Sequence, residues 1–171
     1  MNKAIMISQS PHDIVKILNG YAKLLIYNKL PKNYEGWIYI YCNKGPKDYC
    51  LCGGPNWPEQ WFYTYSPMHN GINSDYQGKV LARFWCNKVG GVAYTQDCNF
   101  HDTLISDVSD DIYTESCLSY TAIDNYFKRK DGRHIPGYAV RITKLEIFDK
   151  PMELKDFKVY DKSYDNVGMF G

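Results

Sequence analysis

The sequence predicts an α+β fold, a small and partly closed mixed β-barrel flanked by two or more helices. Five or more segments have the alternating or continuous apolar pattern of strands, and two others have the periodicity of helices. A twisted sheet must hide its edges, and closure with helices at the flanks achieves this. Since 171 residues suit one hydrophobic core, we predict a single domain over 1–160 and a tail at 161–171.

The strands are predicted from their side-chain alternation. In 36–42, Ile38 and Ile40 alternate with aromatic residues, which predicts one aliphatic core face and one aromatic face. The strand predicted over 137–148 changes phase between Ile142 and Leu145, which indicates a bulge or bend before Asp149-Lys150-Pro151 ends it. The remaining predicted strands are 3–8, 24–26, 78–89 and 92–94, with a hairpin turn at Gly90-Gly91 before the last.

The helices are predicted from their ends and their apolar faces. Ser10, Pro11 and Asp13 form a typical helix start, and Asn19-Gly20 a typical stop. A second helix is predicted over 118–130, with three cations at the negative end of its dipole: Lys128, Arg129 and Lys130. A short helical turn over 152–157 is expected to pack Leu154 and Phe157 against the barrel.

Two stretches without periodicity are predicted to be loops. The first, about 44–77, is a long insertion rich in Gly, Pro, Tyr and Trp, and loops of that length inside domains are usually functional or mobile. Its aromatic residues include Trp57 and Trp61, which can stack on bases, fill a partner's pocket, or fold down as a lid. The second, 95–116, is polar.

Composition excludes several classes of protein. Twenty Lys and Arg balance nineteen Asp and Glu, so the net charge of +1 leaves only local basic patches for binding nucleic acid. No apolar run approaches the roughly 18 residues that a membrane span needs, and no secretory signal pattern is present. We therefore expect a soluble cytoplasmic protein without a membrane partner, whose six cysteines are mostly free thiols.

Three parts of the chain together resemble ASCH domains, which belong to the PUA-like superfamily. The first is Ser8-Gln9-Ser10-Pro11 followed by a helix that ends at Asn19-Gly20. The second is the pair of predicted strands at 36–44 (GWIYIYCNK) and 78–89, which is similar to barrel strands of the phage and prophage branch.

The third part is 117–127 followed by 137–157, similar to the closing helix, strand and "DKP" tail of that branch. The tail is the most specific piece, with these residues in order: Ile147, Asp149, Lys150, Pro151, Leu154 and Phe157. The resemblance leaves out 44–77, 95–116 and the end of the chain. It implies a PUA-like barrel that binds RNA or modified nucleobases in a cleft beside the first helix, in the cytoplasm of a bacterial host. Some small members hydrolyse acylated cytidine, and some have ribonuclease activity.

The reactive residues of that family are missing from this chain. The family pattern after the helix is Gly-x-Lys-x-x-Glu-x-Arg, with Thr for Glu in some hydrolases. Counting from Gly20, these slots hold Ala22, Leu25 and Tyr27. Lys23 is one residue late, and one residue along a strand moves a side chain to the opposite face. We therefore expect the hydrolase chemistry to be lost, although Glu115 stands where the family has an acid. Glu115 is a weak catalytic candidate and equally an ordinary residue at a helix start.

Binding residues are predicted where a cationic or aromatic side chain is expected at the cleft beside the first helix. Arg141 is the strongest, because a charge in mid-strand beside apolar neighbours must face a cleft or pair with an acid. The same argument applies less strongly to Arg83. The full set of predicted ligand or nucleic-acid contacts is His12, Lys23, Tyr27, Lys29, Trp57, Trp61, Arg83 and Arg141.

No cofactor and no metal site is predicted. Cys50-Leu51-Cys52 is a single C-x-C, whereas zinc sites usually show two short-spaced pairs. Three functions stay open. The first is binding of RNA or a nucleotide-like ligand, and the second is hydrolysis of acylated pyrimidine nucleosides or of RNA. The third is a phage-encoded protein that uses the aromatic loop against a host factor. The oligomeric state is not indicated by the sequence.

Overall fold

A computed structural model describes residues 4–44, 50–54, 61–65, 76–96 and 102–157 of the chain. Over these ranges the fold is α+β, as predicted, and consists mostly of sheet with three helices. The strands are β1 (Ile5–Gln9), β2 (Leu24–Tyr27), β3 (Gly36–Cys42), β4 (Cys50–Gly54), β5 (Trp61–Tyr65), β6 (Lys79–Cys86), β7 (Val89–Gln96), β8 (Asp102–Ser106), β9 (Gly137–Arg141) and β10 (Thr143–Glu153). The helices are α1 (Pro11–Leu18), α2 (Ile112–Ser116) and α3 (Tyr120–Phe127), and a 3₁₀ turn covers Leu154–Asp156.

The described residues fall into two compact units. The first unit takes its residues from 1–21, 36–85 and 144–171, and the second from 22–35 and 86–143. The described strands form three sheets that are each open at their edges, so no closed barrel is present in this part of the chain. The single domain over 1–160 stays a prediction, and the tail at 161–171 lies outside the described residues.

The first unit contains a four-stranded sheet in the order β1-β3-β6-β10. β1 runs parallel to β3, with Ile7 opposite Ile40. The alternation predicted for β3 is confirmed, since Ile38, Ile40 and Cys42 are fully buried while the aromatic face is only partly buried. The end predicted at Asp149-Lys150-Pro151 is wrong, because β10 continues to Glu153.

Helix α1 begins and ends where its capping residues predict. The Ser10 hydroxyl accepts a hydrogen bond from the Asp13 amide at 3.2 Å, and Ile14, Ile17 and Leu18 are buried on the inner face. Beyond the helix, the Asn19 side chain donates to the Phe62 carbonyl at 2.7 Å and accepts from the Phe62 amide at 2.9 Å. These two bonds fix β5 against α1. The prediction of a loop over 44–77 is therefore wrong for the β4–β5 hairpin.

The second unit contains the sheet β2-β9-β7-β8, which is antiparallel throughout. α2 and α3 pack on one face of it and enclose a core of Leu24, Ile26, Val92, Ile112, Ile123, Phe127 and Ala139. Gly90 and Gly91 lie inside β7 rather than in a hairpin turn, so that turn prediction is wrong. The loop prediction for 95–116 is also wrong, because this stretch contains β8 and α2.

Two predicted boundaries are corrected. α3 starts at Tyr120, after the Ser119 hydroxyl accepts from the Ala122 amide, and ends at Phe127 with an extended Lys128. The three cations that follow are therefore outside the helix. The phase change predicted after Ile142 is confirmed as a break between β9 and β10, followed by a positive φ of 48° at Lys144. None of the helices in the described ranges has the length and apolar character needed to cross a membrane.

Candidate functional site

Arg141 at the end of β9 pairs with an acid, which is one of the two outcomes predicted for it. Its two terminal nitrogens donate to the two oxygens of Glu115, Nη1 to Oε1 at 2.8 Å and Nη2 to Oε2 at 2.9 Å. Nη2 also donates to the carbonyl of Val108 at 2.6 Å. This two-point geometry fixes the planes of both groups, as is typical of strong arginine–carboxylate pairs. The pair joins α2 to β9.

Glu115 is held ionised by its neighbours. The hydrogen bonds from Arg141, and then the one donated by the Ser109 hydroxyl, lower the pKa of its carboxyl below the ordinary value of 4.5. Attraction to the charge of Lys23 acts in the same direction. A carboxylate that is ionised this readily accepts hydrogen bonds well and takes up a proton poorly. Glu115 is therefore suited to hold a ligand and is a weak general base.

Two backbone hydrogen bonds place Lys23 beside the Arg141–Glu115 pair. Its amide donates to the carbonyl of Glu115 at 2.7 Å, and its own carbonyl accepts from the Ile142 amide at 2.9 Å. Its side chain is exposed. The fold thus brings together Lys23, Glu115 and Arg141, three residues that the sequence singles out separately over a span of more than a hundred positions.

Glu115 and Arg141 border a partly open pocket of about 450 Å³ in the second unit. Residues 106–111, Glu115 and Arg141 line it, which places four carboxylates against one guanidinium. Two of the carboxylates organise the loop: Asp107 accepts from the Gly91 amide at 3.0 Å, and Asp111 caps α2 by accepting from the Thr114 amide at 3.1 Å. The excess of negative charge therefore disfavours a phosphate group and favours cationic ligands or neutral ligands rich in hydrogen-bond donors.

Sequence reasoning missed the loop side of this pocket. Ser109 is buried and bonds both to Glu115 and to the Asp111 amide, the latter at 3.1 Å. The surrounding segment has no apolar period, because its order comes from polar side chains that bind the backbone. The one local signal is the spacing of Asp111 and Thr114, which is that of a helix cap.

Arg83 lies in the first unit, on the aromatic face of its sheet. Its Nε donates to Glu146 at 2.6 Å, its Nη1 lies 3.4 Å from the Tyr39 hydroxyl, and its guanidinium stands 4.1 Å over the ring of Trp37. Hydrogen bonds to Tyr39 and then to Glu146 raise the pKa of Arg83. Trp37 also meets Trp85 edge to face, with 5.3 Å between ring centroids. Arg83 is thus held by residues of its own sheet.

The other predicted contacts are dispersed. His12 is exposed on α1 in the first unit, and Lys29 is exposed in the second. Tyr27 is completely buried. Trp61 lies in β5, and Trp57 is outside the described residues. A cleft shared by all of the predicted residues stays a prediction.

Two of the positions that the resemblance to ASCH domains assigns to reactive groups are apolar and buried. Ala22 is 4% exposed and Leu25 is 8% exposed, so neither a base nor a nucleophile is available at these two slots. The five cysteines in the described ranges are free, and these ranges contain no group of three side chains able to hold a metal ion. Burial raises the pKa of Cys42 to about 12, which makes it a poor nucleophile.

Comparison of the chain with protein-family models, with curated proteins and with solved structures found no match. The likeness to ASCH domains therefore rests on the sequence motifs alone.

Proposed function

We propose that this protein is an RNA- or nucleotide-binding module of the ASCH type with a PUA-like fold, and that the pocket beside Arg141 and Glu115 receives the base or ribose of its ligand. The single observation that carries the proposal is the convergence of Ser109, Glu115 and Arg141 on this pocket. Its volume of about 450 Å³ lies within the range of small-molecule sites.

The chemistry of the lining suits a nucleobase edge. The Arg141 side chain is 42% exposed and lines the pocket, so it can donate to a ring nitrogen or a carbonyl. The carboxylate of Glu115 can accept further bonds from amino and imino groups, because its ionised oxygens carry several lone-pair directions. The edges of purines and pyrimidines present hydrogen-bond acceptors and donors side by side. A sugar hydroxyl can likewise bind the Ser109 and Glu115 oxygens.

Hydrolysis of acylated nucleosides or of RNA gains no support from this geometry. Such chemistry needs an acid and a base whose pKa values lie near the working pH. Glu115 has a lowered pKa, and the two nearby family slots hold buried Ala22 and Leu25. The host-factor hypothesis rests on the aromatic insertion, and Trp57 in it lies outside the described residues. The setting that goes with the proposal is the bacterial cytoplasm.

The test is a binding titration with the full chain. Fluorescence anisotropy at low salt with labelled single-stranded and hairpin RNAs gives the affinity, and calorimetry with the four nucleosides and their 5′-monophosphates gives the preferred base. We expect Arg141→Ala and Glu115→Gln to weaken binding roughly 10- to 100-fold, the range for a charged hydrogen bond. Lys16→Ala, a change of a half-buried lysine in the first unit, is the control and should bind like the wild type.

Three readouts decide the outcome. Nucleosides that bind as well as their monophosphates support a pocket for the uncharged part of the ligand, whereas a strong preference for the monophosphate contradicts it. Circular dichroism of both pocket variants checks that they are folded, and Arg141→Lys gives a second, milder variant. If the wild type binds neither RNA nor any nucleoside, or if folded pocket variants bind as tightly as the wild type, the proposal is wrong.

A further inference from the structure

A strongly basic turn follows α3. Residues 128–133 read Lys-Arg-Lys-Asp-Gly-Arg, with four cations and one carboxylate, so six residues carry a net charge of +3 in a chain whose total is +1. We call residues 128–133 the basic turn. The sequence predicts that its first three residues end a helix, but the helix stops at Phe127 and Lys128 is extended. The cations are therefore carried on a turn.

The basic turn is held in one conformation by backbone hydrogen bonds. The Gly132 amide donates to the Arg129 carbonyl at 2.9 Å, and the Arg129 amide donates to the Arg133 carbonyl at 2.8 Å. Gly132 has a φ of +83°, in the region that glycine adopts without strain. At its base, Lys128 and His134 form a β-bridge, and the ring of His134 stacks on Tyr94 with centroids 4.1 Å apart. Its charges are thus presented on an ordered frame.

Two of its four cations are neutralised and two are not. Lys128 lies 3.7 Å from a carboxylate oxygen of Asp124, and Arg133 donates two bonds to Asp131 at 2.9 and 2.6 Å. The side chains of Arg129 and Lys130 are exposed and make no hydrogen bond or close ion pair with any residue of the described ranges, although the charge of Arg129 contributes to the lowered pKa of Asp131. These two side chains are therefore available to an anionic partner without breaking an existing pair.

The character of the basic turn selects the class of partner. No apolar side chain occurs between 128 and 133. A protein interface usually needs aromatic or aliphatic anchors, and an interfacial membrane segment needs an apolar face, so neither is favoured. Exposed cations on a polar frame are what contacts to a phosphodiester backbone require, and such contacts position a nucleic acid without reading its sequence.

The negative charge elsewhere in the second unit also favours the basic turn as the place for phosphate contacts. From 102 to 124 the chain has six carboxylates and not one Lys or Arg, and four of these acids line the pocket. A phosphate is disfavoured there, so an RNA whose base enters the pocket must have its backbone neutralised elsewhere. We propose that Arg129 and Lys130 form a phosphate-contacting surface for RNA, separate from the pocket. This inference rests on the proposed function.

The test is the salt dependence of RNA binding. Each phosphate contact on a single strand contributes about 0.7 to the slope of log K against log salt concentration. R129Q/K130Q should therefore lower the magnitude of the slope by about 1.4, which weakens binding roughly 60-fold at 50 mM salt relative to a 1 M reference. K32Q/K88Q, which removes the same charge from two other exposed lysines of the second unit, is the matched control and should change the slope little.

The outcomes separate this inference from the proposed function. If the wild type binds no RNA, both the proposed function and the inference about the basic turn are wrong. If Arg141→Ala weakens RNA binding but R129Q/K130Q keeps the full salt dependence, only the proposed role of the basic turn is wrong. A loss that is equal in K32Q/K88Q also overturns it, because the effect is then one of net charge. Equally tight, equally variant-sensitive binding of polyglutamate shows that the surface takes any polyanion and overturns the assignment to RNA. R129K, which keeps the charge, should keep the slope.

Discussion

Gly137 at the start of β9 is a position where a single methyl group should destabilise the second unit. A Cβ placed there lies 2.1 Å from Cε1 and 2.7 Å from Cζ of Phe127, and 2.8 Å from the carbonyl oxygen of Tyr27. Side-chain carbons do not approach other atoms this closely. Replacement of Gly137 by Ala therefore requires that the ring, the strand or both move.

Neither neighbour can move easily. Phe127 is 1% exposed and has the ring of Tyr126 at 5.2 Å and that of Tyr94 at 6.5 Å. The Tyr27 carbonyl belongs to a backbone fixed by the pairing of Tyr27 with Tyr138. Overpacking of this kind costs about 1–3 kcal/mol. With roughly 2–4 °C lost per kcal/mol in a chain of this size, G137A should lower the unfolding temperature by about 2–12 °C.

A double-mutant cycle tests the reason as well as the size of this effect. Phe127→Leu removes ring atoms that the new methyl group meets, so G137A should destabilise the F127L protein by less than it destabilises the wild type. Gly132→Ala is the matched control. It meets no atom within 4 Å but has a φ of +83°, so its cost of about 1–2 kcal/mol comes from the backbone and should be the same in both backgrounds. G137A with wild-type stability, or with an unchanged effect in F127L, would refute the steric argument.

Three further predictions concern other contacts. Asn19→Ala removes both side-chain bonds to the Phe62 backbone and should speed hydrogen exchange of the Phe62 amide at least several-fold without unfolding α1, as measured by NMR. The pKa of Glu115 is lowered by folding, so its stabilising contribution is present above the ordinary value of 4.5 and is lost as the pH falls through the folded value; acid titrations of wild type and Glu115→Gln should therefore converge at low pH. Cys42 is fully buried with a pKa of about 12, so a thiol reagent at pH 8 should modify it only after unfolding, which mass spectrometry detects.

The elements that the sequence predicts well are determined by patterns of neighbouring residues. β3 alternates because one face is buried and the other is aromatic, and α1 carries both of its capping signals within ten residues. β8 is an edge strand whose side chains are exposed or half-buried throughout, so no apolar alternation marks it. α2 is a helix of five residues, too short for a period to be visible. These two elements explain why 95–116 reads as a loop.

The site could be predicted only in part, for a different physical reason. The cost of an unpaired charge in mid-strand indicates that Arg141 faces a cleft or pairs with an acid, but it does not indicate which acid. That choice depends on the register that sets Leu24 opposite Arg141 and on the amide of Lys23, which ties α2 to β2. Glu115 lies 26 residues away in the sequence, and its selection is a property of the tertiary structure.

The Arg141–Glu115 pair also determines which ligands the pocket can accept. A phosphate that approached Arg141 would compete with a carboxylate already bound at two points, and it would enter a site that four acids line. A neutral ligand with donor groups avoids this competition, because it can bind the outward lone pairs of Glu115 while the pair stays closed. In the proposed function the pair therefore keeps anions out of the pocket, and an RNA ligand would need separate cations for its backbone. The proposed surface of Arg129 and Lys130, whose side chains are exposed, would supply those cations.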